Sequence, residues 1–278
     1  MRFWPNWKRA AEVAQSGGGQ ENSSNLAGRG IVITRPRDQA HGLIALVKAA
    51  GGRPIAFPAL EIVDALDSRA LRALVDRLES FDLAIFVSPT AASRGLNLVR
   101  RRRELPPGLQ LAAVGKGSAR ELQRLGAANV LVPESGADSE ALLALPQLAD
   151  LRGRSVLIFR GVGGRELLGD TLVRHGARVE YAECYRRTRP QADVQMLLRA
   201  WTQGEIHAVT VTSSEGLSNL FDMLGTLGRH WLRKTALFVP HERIAARARD
   251  LGIADVVVAD PGDEAMVGAI ARYLGLGS

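Results

Sequence analysis

The stretch SVLIFRGVGGRE, residues 155–166, predicts the fold of this chain. It passes from an apolar strand through a glycine turn into an amphipathic helix that ends near His175. Residues 156–159 show no polar alternation, which is typical of a parallel sheet covered by helices on both faces. The turn is therefore expected at the carboxyl edge of that sheet, where open α/β sheets bind their ligands.

The composition of this turn favours an anion site. Gly161, Gly163 and Gly164 would let backbone N–H groups approach an anion beside a helix N-terminus. Arg160 and Arg165 add forked donors that match carboxylate or phosphate oxygens better than a lysine does. An ordinary tight turn with two solvated arginines fits the same residues equally well, so both interpretations stay open.

The sequence of this turn does not match either of two well-known nucleotide-binding motifs. The dinucleotide pattern G-x-G-x-x-G has Glu166 where its last glycine belongs, and no G-K-[ST] follows. A nucleotide-dependent transferase is therefore disfavoured.

The composition sets broader limits on size and partners. With 278 residues and 46% hydrophobic content, the chain can bury a sizeable core and is expected to form two domains. Lysine and arginine number 36 against 29 acidic residues, and this net charge of +7 favours an acidic small molecule or nucleic acid as partner. The arginine run 100–103 has no interleaved aromatics and predicts a solvated helix end, so no nucleic-acid partner is expected.

The cysteine count and the first residues address compartment and membrane contact. A lone cysteine, Cys184, excludes internal disulfides and fits a reducing compartment, and no metal-type spacing occurs among the five histidines. Residues 1–15 are basic but contain no continuous apolar stretch, so neither a signal peptide nor a membrane partner is expected. We therefore expect a cytoplasmic protein without a metal site. Residues 16–25 have linker composition, and the folded part is expected to begin near Gly28.

An internal repeat covers the folded part. GRGIVITRP (from Gly28) aligns with GRSVLIFRG (from Gly153), and the same offset of 125 residues links GGRPIAFP to GARVEYAE and DLAIFVSPT to HAVTVTSSE. Residues 111–134 correspond to residues 236–260, and acidic-apolar helices at 139–145 and 263–270 close the two halves. Five strand–helix units in each half predict two similar α/β domains with doubly wound parallel sheets. A ligand cleft between the domains is expected.

Two segments are longer than an ordinary strand. Residues 54–63 and 179–187 continue as extended chain beyond the usual five or six residues, and we interpret them as paired connectors. Leu60 and Tyr185 occupy equivalent repeat positions, yet only the second is aromatic and is followed by basic residues. This asymmetry indicates a functional cleft.

Six motifs in a fixed order carry a family resemblance. They are Arg35-Pro36, Ser88-Pro89-Thr90, VGKGSA at 114–119, RGVGGRE at 160–166, ECYRR at 183–187 and TSSE at 212–215. In this order they resemble the uroporphyrinogen-III synthase family, from residue 28 to about residue 274.

The resemblance implies a particular division of the chain. Residues 28–60 and 188–278 would form one discontinuous α/β domain and residues 65–183 the other. Residues 61–64 and 184–187 would be the connectors, and residues 1–27 an N-terminal extension and linker. The expected fold is thus two similar doubly wound parallel-sheet domains joined by a two-stranded connector, with an interdomain cleft.

The resemblance also implies a reaction. Hydroxymethylbilane, a linear tetrapyrrole with carboxylate arms on every ring, would lose water and close to uroporphyrinogen III with its last ring inverted. No cofactor or metal is implied, and a monomer is expected. A non-catalytic two-lobed protein that closes on an anionic ligand is the main alternative, and the missing export signal disfavours it.

Tyr185 is the candidate for assisting departure of the hydroxyl. A tyrosine hydroxyl is protonated at neutral pH and can donate a hydrogen bond or a proton. The resemblance supports this position. The alternative is a tyrosine that packs one domain on the other.

The remaining candidates would bind substrate. They are the turn residues Arg160, Gly161, Gly163, Gly164 and Arg165, together with Arg35, Ser88, Thr90, Gly115, Lys116, Ser118, Ser213, Ser214 and Arg243. For the serines, helix N-capping is the alternative. The second copy of the glycine–hydroxyl turn reads VPHER at 239–243 and lacks the glycine and hydroxyl of its counterpart, so a role for Arg243 there stays open.

Overall fold

The computed structural model describes residues 26–136, 138–164 and 166–275, so residues 1–25 of the expected N-terminal extension and Arg165 lie outside them. The chain divides into two compact units. Unit 1 combines the residues before Leu60 with those after Gln191, and unit 2 is Leu60–Gln191.

Strands and helices alternate along both units. The strands are β1 (Gly30–Ile33), β2 (Arg53–Ala56), β3 (Glu61–Asp64), β4 (Leu83–Phe86), β5 (Gln110–Ala113), β6 (Val130–Leu131), β7 (Ser155–Gly161), β8 (Arg178–Thr188), β9 (Ala208–Thr210), β10 (Ala236–Val239) and β11 (Val256–Val258). The helices are α1 (His41–Ala49), α2 (Ser68–Asp76), α3 (Pro89–Arg100), α4 (Lys116–Arg124), α5 (Ser139–Leu143), α6 (Leu167–Arg174), α7 (Val194–Thr202), α8 (Ser214–Met223), α9 (Gly225–Arg233), α10 (Glu242–Asp250) and α11 (Asp263–Gly275). Within the part of the chain that the structure describes, none of these helices combines the length and the apolar character that a membrane span requires.

Unit 1 contains a parallel sheet in the order β11-β10-β9-β1-β2. Successive strand residues point to opposite faces, so Val32 packs with α7, α8 and α10 while Ile31 and Ile33 pack with α1 and α11. Helices therefore cover both faces of this sheet. The first two strands of the chain join the last three.

Unit 2 contains a sheet in the order β3-β8-β7-β4-β5-β6, parallel except for the β3–β8 pair. Phe86 and Phe159 stack at 4.5 Å on the face covered by α2, α3 and α4. Ile85 and Ile158 point to the opposite face, where α5 and α6 pack. Helices on both faces of two mostly parallel sheets confirm the predicted fold class.

The two expected connector strands pair with each other. Ile62 lies opposite Arg187 and Asp64 opposite Tyr185 in antiparallel register. They belong to the sheet of unit 2, however, because β8 is one continuous strand of 11 residues that stays paired to β7 as far as Tyr185. The connector is thus the edge of a sheet rather than a separate ribbon.

The repeat persists in the backbone, with one shift of register. Three glycine pairs share a positive φ: Gly28 and Gly153 (+75° and +77°), Gly51 and Gly176 (+73° and +94°), and Gly126 and Gly252 (+76° and +79°). The first two pairs are 125 residues apart and the third is 126 apart, because the second half gains a residue before α10. Gly115 therefore corresponds to His241, and each is the N-cap of its helix.

Candidate active site

Two predicted site residues meet in unit 2. The hydroxyl oxygens of Tyr185 on β8 and Ser88 after β4 lie 3.2 Å apart. Ser88 is also the N-cap of α3, and its Oγ accepts the N–H of Ala91 at 3.1 Å. Tyr185 is only 2% exposed and belongs to the core beneath α3, whereas Ser88 is half-buried. The serine hydroxyl is thus the more accessible end of this pair.

Gly161 allows the ring of Tyr185 to lie against β7. A Cβ at position 161 would come within 2.6 Å of Tyr185 Cε2 and 2.7 Å of Cζ. The next residue, Val162, donates its N–H to the Tyr185 carbonyl at 2.8 Å. The chain then turns through Gly163, whose φ is +72°, and through Gly164, both of them exposed. The glycine turn therefore shapes the surroundings of Tyr185.

Arg160 is not the solvated arginine that one sequence interpretation expects. It is 8% exposed, and its Nη2 donates to Glu183 Oε1 at 3.3 Å. Its guanidinium carbon lies 4.0 Å from the centre of the Tyr181 ring, a cation–π contact. Burial raises the pKa of Tyr181, although the charge of Arg160 opposes that rise. Arg160 is thus engaged inside unit 2, while its predicted companion Arg165 lies outside the described residues.

The turn after β5 holds three further candidates. Gly115 is the buried N-cap of α4, with extended φ of −156°. Lys116 is exposed at the first residue of the helix. Ser118 is buried, and its N–H donates to the Gly115 carbonyl at 3.0 Å. Thr90 is half-buried in the first turn of α3.

Unit 1 places its candidates at the equivalent strand ends. Arg35 follows β1, and its Nη1 binds Asp263 Oδ1 at 2.5 Å, a partner that the sequence interpretation missed. Ser213 caps α8 by accepting the N–H of Gly216 at 3.0 Å, and Ser214 begins that helix. Arg243 is exposed in the first turn of α10.

The capping alternative holds for two of the predicted serines. Ser88 and Ser213 both accept helix N–H groups, whereas Gly115 rather than Ser118 occupies the N-cap of α4. A capping serine keeps its own hydrogen for another acceptor, so capping and ligand contact are compatible at these positions.

Cys184 has the environment of a structural residue. It is buried, and burial raises the pKa of its thiol to about 12. A thiol with so high a pKa is a poor nucleophile at neutral pH. No group of three or more His, Cys, Asp or Glu side chains that could hold a metal ion occurs within residues 26–136, 138–164 and 166–275.

Comparisons with known proteins agree with this description. The family model described as Uroporphyrinogen-III synthase HemD matches residues 42–268. The uroporphyrinogen-III synthase of Salmonella typhimurium is 37% identical over 84% of this chain and 96% of its own length. The Escherichia coli enzyme is 34% identical over the same shares of both chains, 84% and 96%.

Two solved structures share the fold. A mutant uroporphyrinogen III synthase from Thermus thermophilus has a TM-score of 0.61 and 20% identity, covering 89% of this chain and 99% of its own. The Helicobacter pylori uroporphyrinogen-III synthetase has a TM-score of 0.55 and 16% identity, with coverage of 89% and 99%. At these identities the likeness supports the fold alone.

The fold, the strand-end turns and the matches define an α/β enzyme with two doubly wound units, a cyclising lyase of tetrapyrrole biosynthesis. The family model spans most of the chain, and the bacterial relatives are matched along nearly their whole length. The chain belongs to the uroporphyrinogen-III synthase family.

Proposed function

We propose that this chain converts hydroxymethylbilane to uroporphyrinogen III, with loss of water and inversion of the last pyrrole ring. Family membership supports the reaction. The observation that carries the choice of residues is the contact between the Tyr185 and Ser88 hydroxyls, 3.2 Å apart at a strand end. Two hydrogen-bonded hydroxyls can relay a proton from the buried Tyr185 through the half-buried Ser88 to a bound ligand.

The first chemical step is departure of the substrate hydroxyl. Electron-rich pyrroles expel the hydroxyl group as water once it receives a proton, which Tyr185 supplies. Ser88 Oγ accepts the Ala91 N–H, and when it also accepts the Tyr185 hydroxyl it can donate its own hydrogen to the leaving oxygen. The proton passes from Tyr185 through Ser88, the C–O bond breaks, and water departs. A delocalised cation remains on the first pyrrole ring.

Ring closure then proceeds through carbon–carbon bonds. The substituted α carbon of the last ring attacks the cationic methylene and forms a spiro intermediate. Its bond to the neighbouring bridge breaks, and that bridge recombines with the free α carbon of the same ring. The hydrogen on that carbon is lost as a proton, which restores the tyrosine, so the net change is loss of one water.

Binding of the polycarboxylate substrate falls to the strand-end turns. Lys116 and Arg243 are exposed cations at the first turns of α4 and α10, and Gly163 and Gly164 are exposed as well. Arg35 and Arg160 are already paired with Asp263 and Glu183. We therefore assign direct carboxylate contact to the exposed groups, with Ser213 and Ser214 as hydroxyl donors, and assign organisation of the turns to the paired arginines.

We further propose that the protein is a cytoplasmic monomer. The single buried cysteine is consistent with the reducing conditions of the cytoplasm. Sedimentation of the purified protein at assay concentration tests the monomer, and fractionation of the source cells tests the location.

The test is incubation with hydroxymethylbilane, followed by oxidation and separation of the uroporphyrin isomers. The parent protein should give the type III isomer without added metal or nucleotide, at a rate that chelator leaves unchanged. Heat-inactivated protein is the control and should give the type I isomer of uncatalysed closure. A binding protein without activity would match the control, and a large loss with chelator would reveal a metal requirement.

A further inference from the structure

A groove in unit 2 is lined by Arg186, whose side-chain Nε is buried without a hydrogen-bond partner among the described residues. Its volume is about 590 Å³, within the range of small-molecule sites. Its apolar lining comes from the segment before α2, from α2 itself and from the turn after β7: Ala65, Leu66, Ala70, Leu71, Leu74 and Val162. Leu66 is 86% exposed, so the apolar wall faces solvent.

The acidic side chains of the groove are already engaged. Glu180 accepts two hydrogen bonds from Arg77, at 3.0 and 2.5 Å. Glu183 is paired with Arg160. Asp67 is the exposed N-cap of α2 and accepts the N–H groups of the following residues, so the positive helix end compensates its charge.

Arg186 is the basic side chain of the groove, and it is not compensated. It projects from β8 directly after Tyr185 and lines the groove. Among the described residues its side chain forms no ion pair or hydrogen bond, and its Nε is buried without a partner. A buried donor without a partner is uncommon in folded proteins and calls for an explanation. An anion in the groove would supply one.

The geometry points to Arg186 as a carboxylate-binding residue for one pyrrole ring of the linear substrate, with the apolar wall of the groove against the ring. This inference rests on the proposed function. The ligand needs a flat apolar body to cover Leu66 and Val162 and a carboxylate to meet a planar guanidinium, and a pyrrole with carboxylate arms has both. Specificity for polycarboxylate pyrroles would follow from this pairing.

Kinetics of Arg186 variants test the assignment. Arg186→Gln should raise KM for hydroxymethylbilane about 10- to 100-fold, the effect of one charged hydrogen bond, with kcat nearly unchanged. Arg186→Lys should recover part of the loss, because it keeps the charge without the fork. Arg178→Gln is the matched control, since Arg178 lies on the same strand but does not line the groove. Equal KM values for Arg186→Gln and Arg178→Gln would overturn the inference.

Calorimetric titration with porphobilinogen, a single pyrrole with two carboxylate arms, separates this inference from the proposed function. The parent should bind it, and Arg186→Gln should weaken binding at least tenfold. Leu66→Asp should also weaken it by placing a like charge beside the ligand, whereas Val173→Asp, at a 55% exposed position on α6, should not. Binding unaffected by Arg186→Gln and Leu66→Asp overturns the groove assignment even if type III isomer forms. If porphobilinogen binding depends on Arg186 but the protein forms no type III isomer, the groove assignment stands and the proposed reaction is contradicted.

Discussion

The hydroxyl oxygens of Tyr185 and Ser88 lie 3.2 Å apart although 97 residues separate them in the chain. The contact exists because β4 and β8 flank β7 in one sheet, and Gly161 leaves room for the tyrosine ring. A buried phenol is thereby joined to a half-buried serine at the start of α3.

Tyr185→Phe removes only the phenol oxygen and should lower kcat by about 10²–10⁴-fold while KM and the melting temperature change little. Tyr273→Phe removes a phenol from α11, where it binds Asp255, and is the matched control with expected full activity. Isomer formation and thermal melting measure both. If Tyr185→Phe is fully active and Tyr185→Ala has a lower melting temperature and a changed KM, the ring serves packing and the hydroxyl is not the acid.

Ser88→Ala removes a helix cap and the proposed proton relay together. We expect a loss of about 1 kcal/mol in the free energy of unfolding, typical of a lost cap, and a kcat lowered at least tenfold. Ser88→Thr keeps the hydroxyl and should retain most of both. Asp138→Ala is the control for stability, because Asp138 caps α5 through the Ala141 N–H at 2.9 Å. If Asp138→Ala and Ser88→Ala lose stability alike and neither loses activity, Ser88 is only a cap.

Gly161→Ala should destabilise the protein by about 1–3 kcal/mol, because its Cβ would overlap the Tyr185 ring at 2.6 Å. Gly164→Ala is the matched change in the same turn, where the nearest atom, Arg160 Cδ, is 3.4 Å away. Urea unfolding of the two variants measures the difference. Equal midpoints would mean that the ring moves aside at no cost.

Substitution of Arg160 should mainly affect stability, whereas substitution of Lys116 should mainly affect substrate binding. Arg160→Ala leaves Glu183 unpaired and removes the contact with Tyr181, so it should lower the free energy of unfolding by about 1–3 kcal/mol. Lys116→Ala should leave stability unchanged and raise KM about tenfold, with the parent more sensitive to salt than the variant. Unfolding curves measure the effect on stability, and KM at two ionic strengths measures the effect on binding and its dependence on charge. A stable Arg160→Ala with a raised KM would restore Arg160 as a direct ligand.

Acid should weaken unit 1 through His207. Its Nδ1 accepts the Gly30 N–H at 3.1 Å, and burial, aided by the charges of Arg29 and Arg53, lowers the pKa of the imidazole from 6.5. The unfolded chain therefore takes up this proton at a higher pH than the folded chain. The stabilising contribution is present above about pH 6.5 and is lost as the pH falls through the lowered pKa.

The measurement is thermal melting between pH 7 and pH 5. His207→Asn should flatten the acid-side fall in melting temperature relative to the parent. Arg29→Gln removes one charge that lowers the pKa, so its acid-side fall should be smaller than that of the parent. Parallel curves for the parent and His207→Asn would contradict the assignment.

The sequence predicts the fold well because its signals are local and repeated. Unalternated apolar runs such as residues 156–159 predict buried parallel strands, and glycines such as Gly51 and Gly176 mark equivalent turns. It misses the register shift before α10, because one inserted residue changes no local pattern. It also gives no sign that β3 becomes the edge of the unit 2 sheet, since strand order depends on tertiary packing.

The site is predicted less completely, because partners come from neighbouring strands. Tyr185 and Ser88 stand out through the repeat and their motifs, and the structure joins them. The burial of Arg160 follows from its register opposite Glu183 on β8, 23 residues away in sequence. Arg186 lies within the ECYRR motif, but the motif does not show that its charge is unpaired. That follows only from the structure, in which the neighbouring Glu180 and Glu183 are paired with other arginines.

The most direct test of the central claim is the isomer composition of uroporphyrin recovered from purified protein and hydroxymethylbilane. We predict mainly the type III isomer from the parent and a strongly slowed appearance of type III with Tyr185→Phe. Recovery of type I alone from folded parent protein, at the rate of the control without protein, would contradict it.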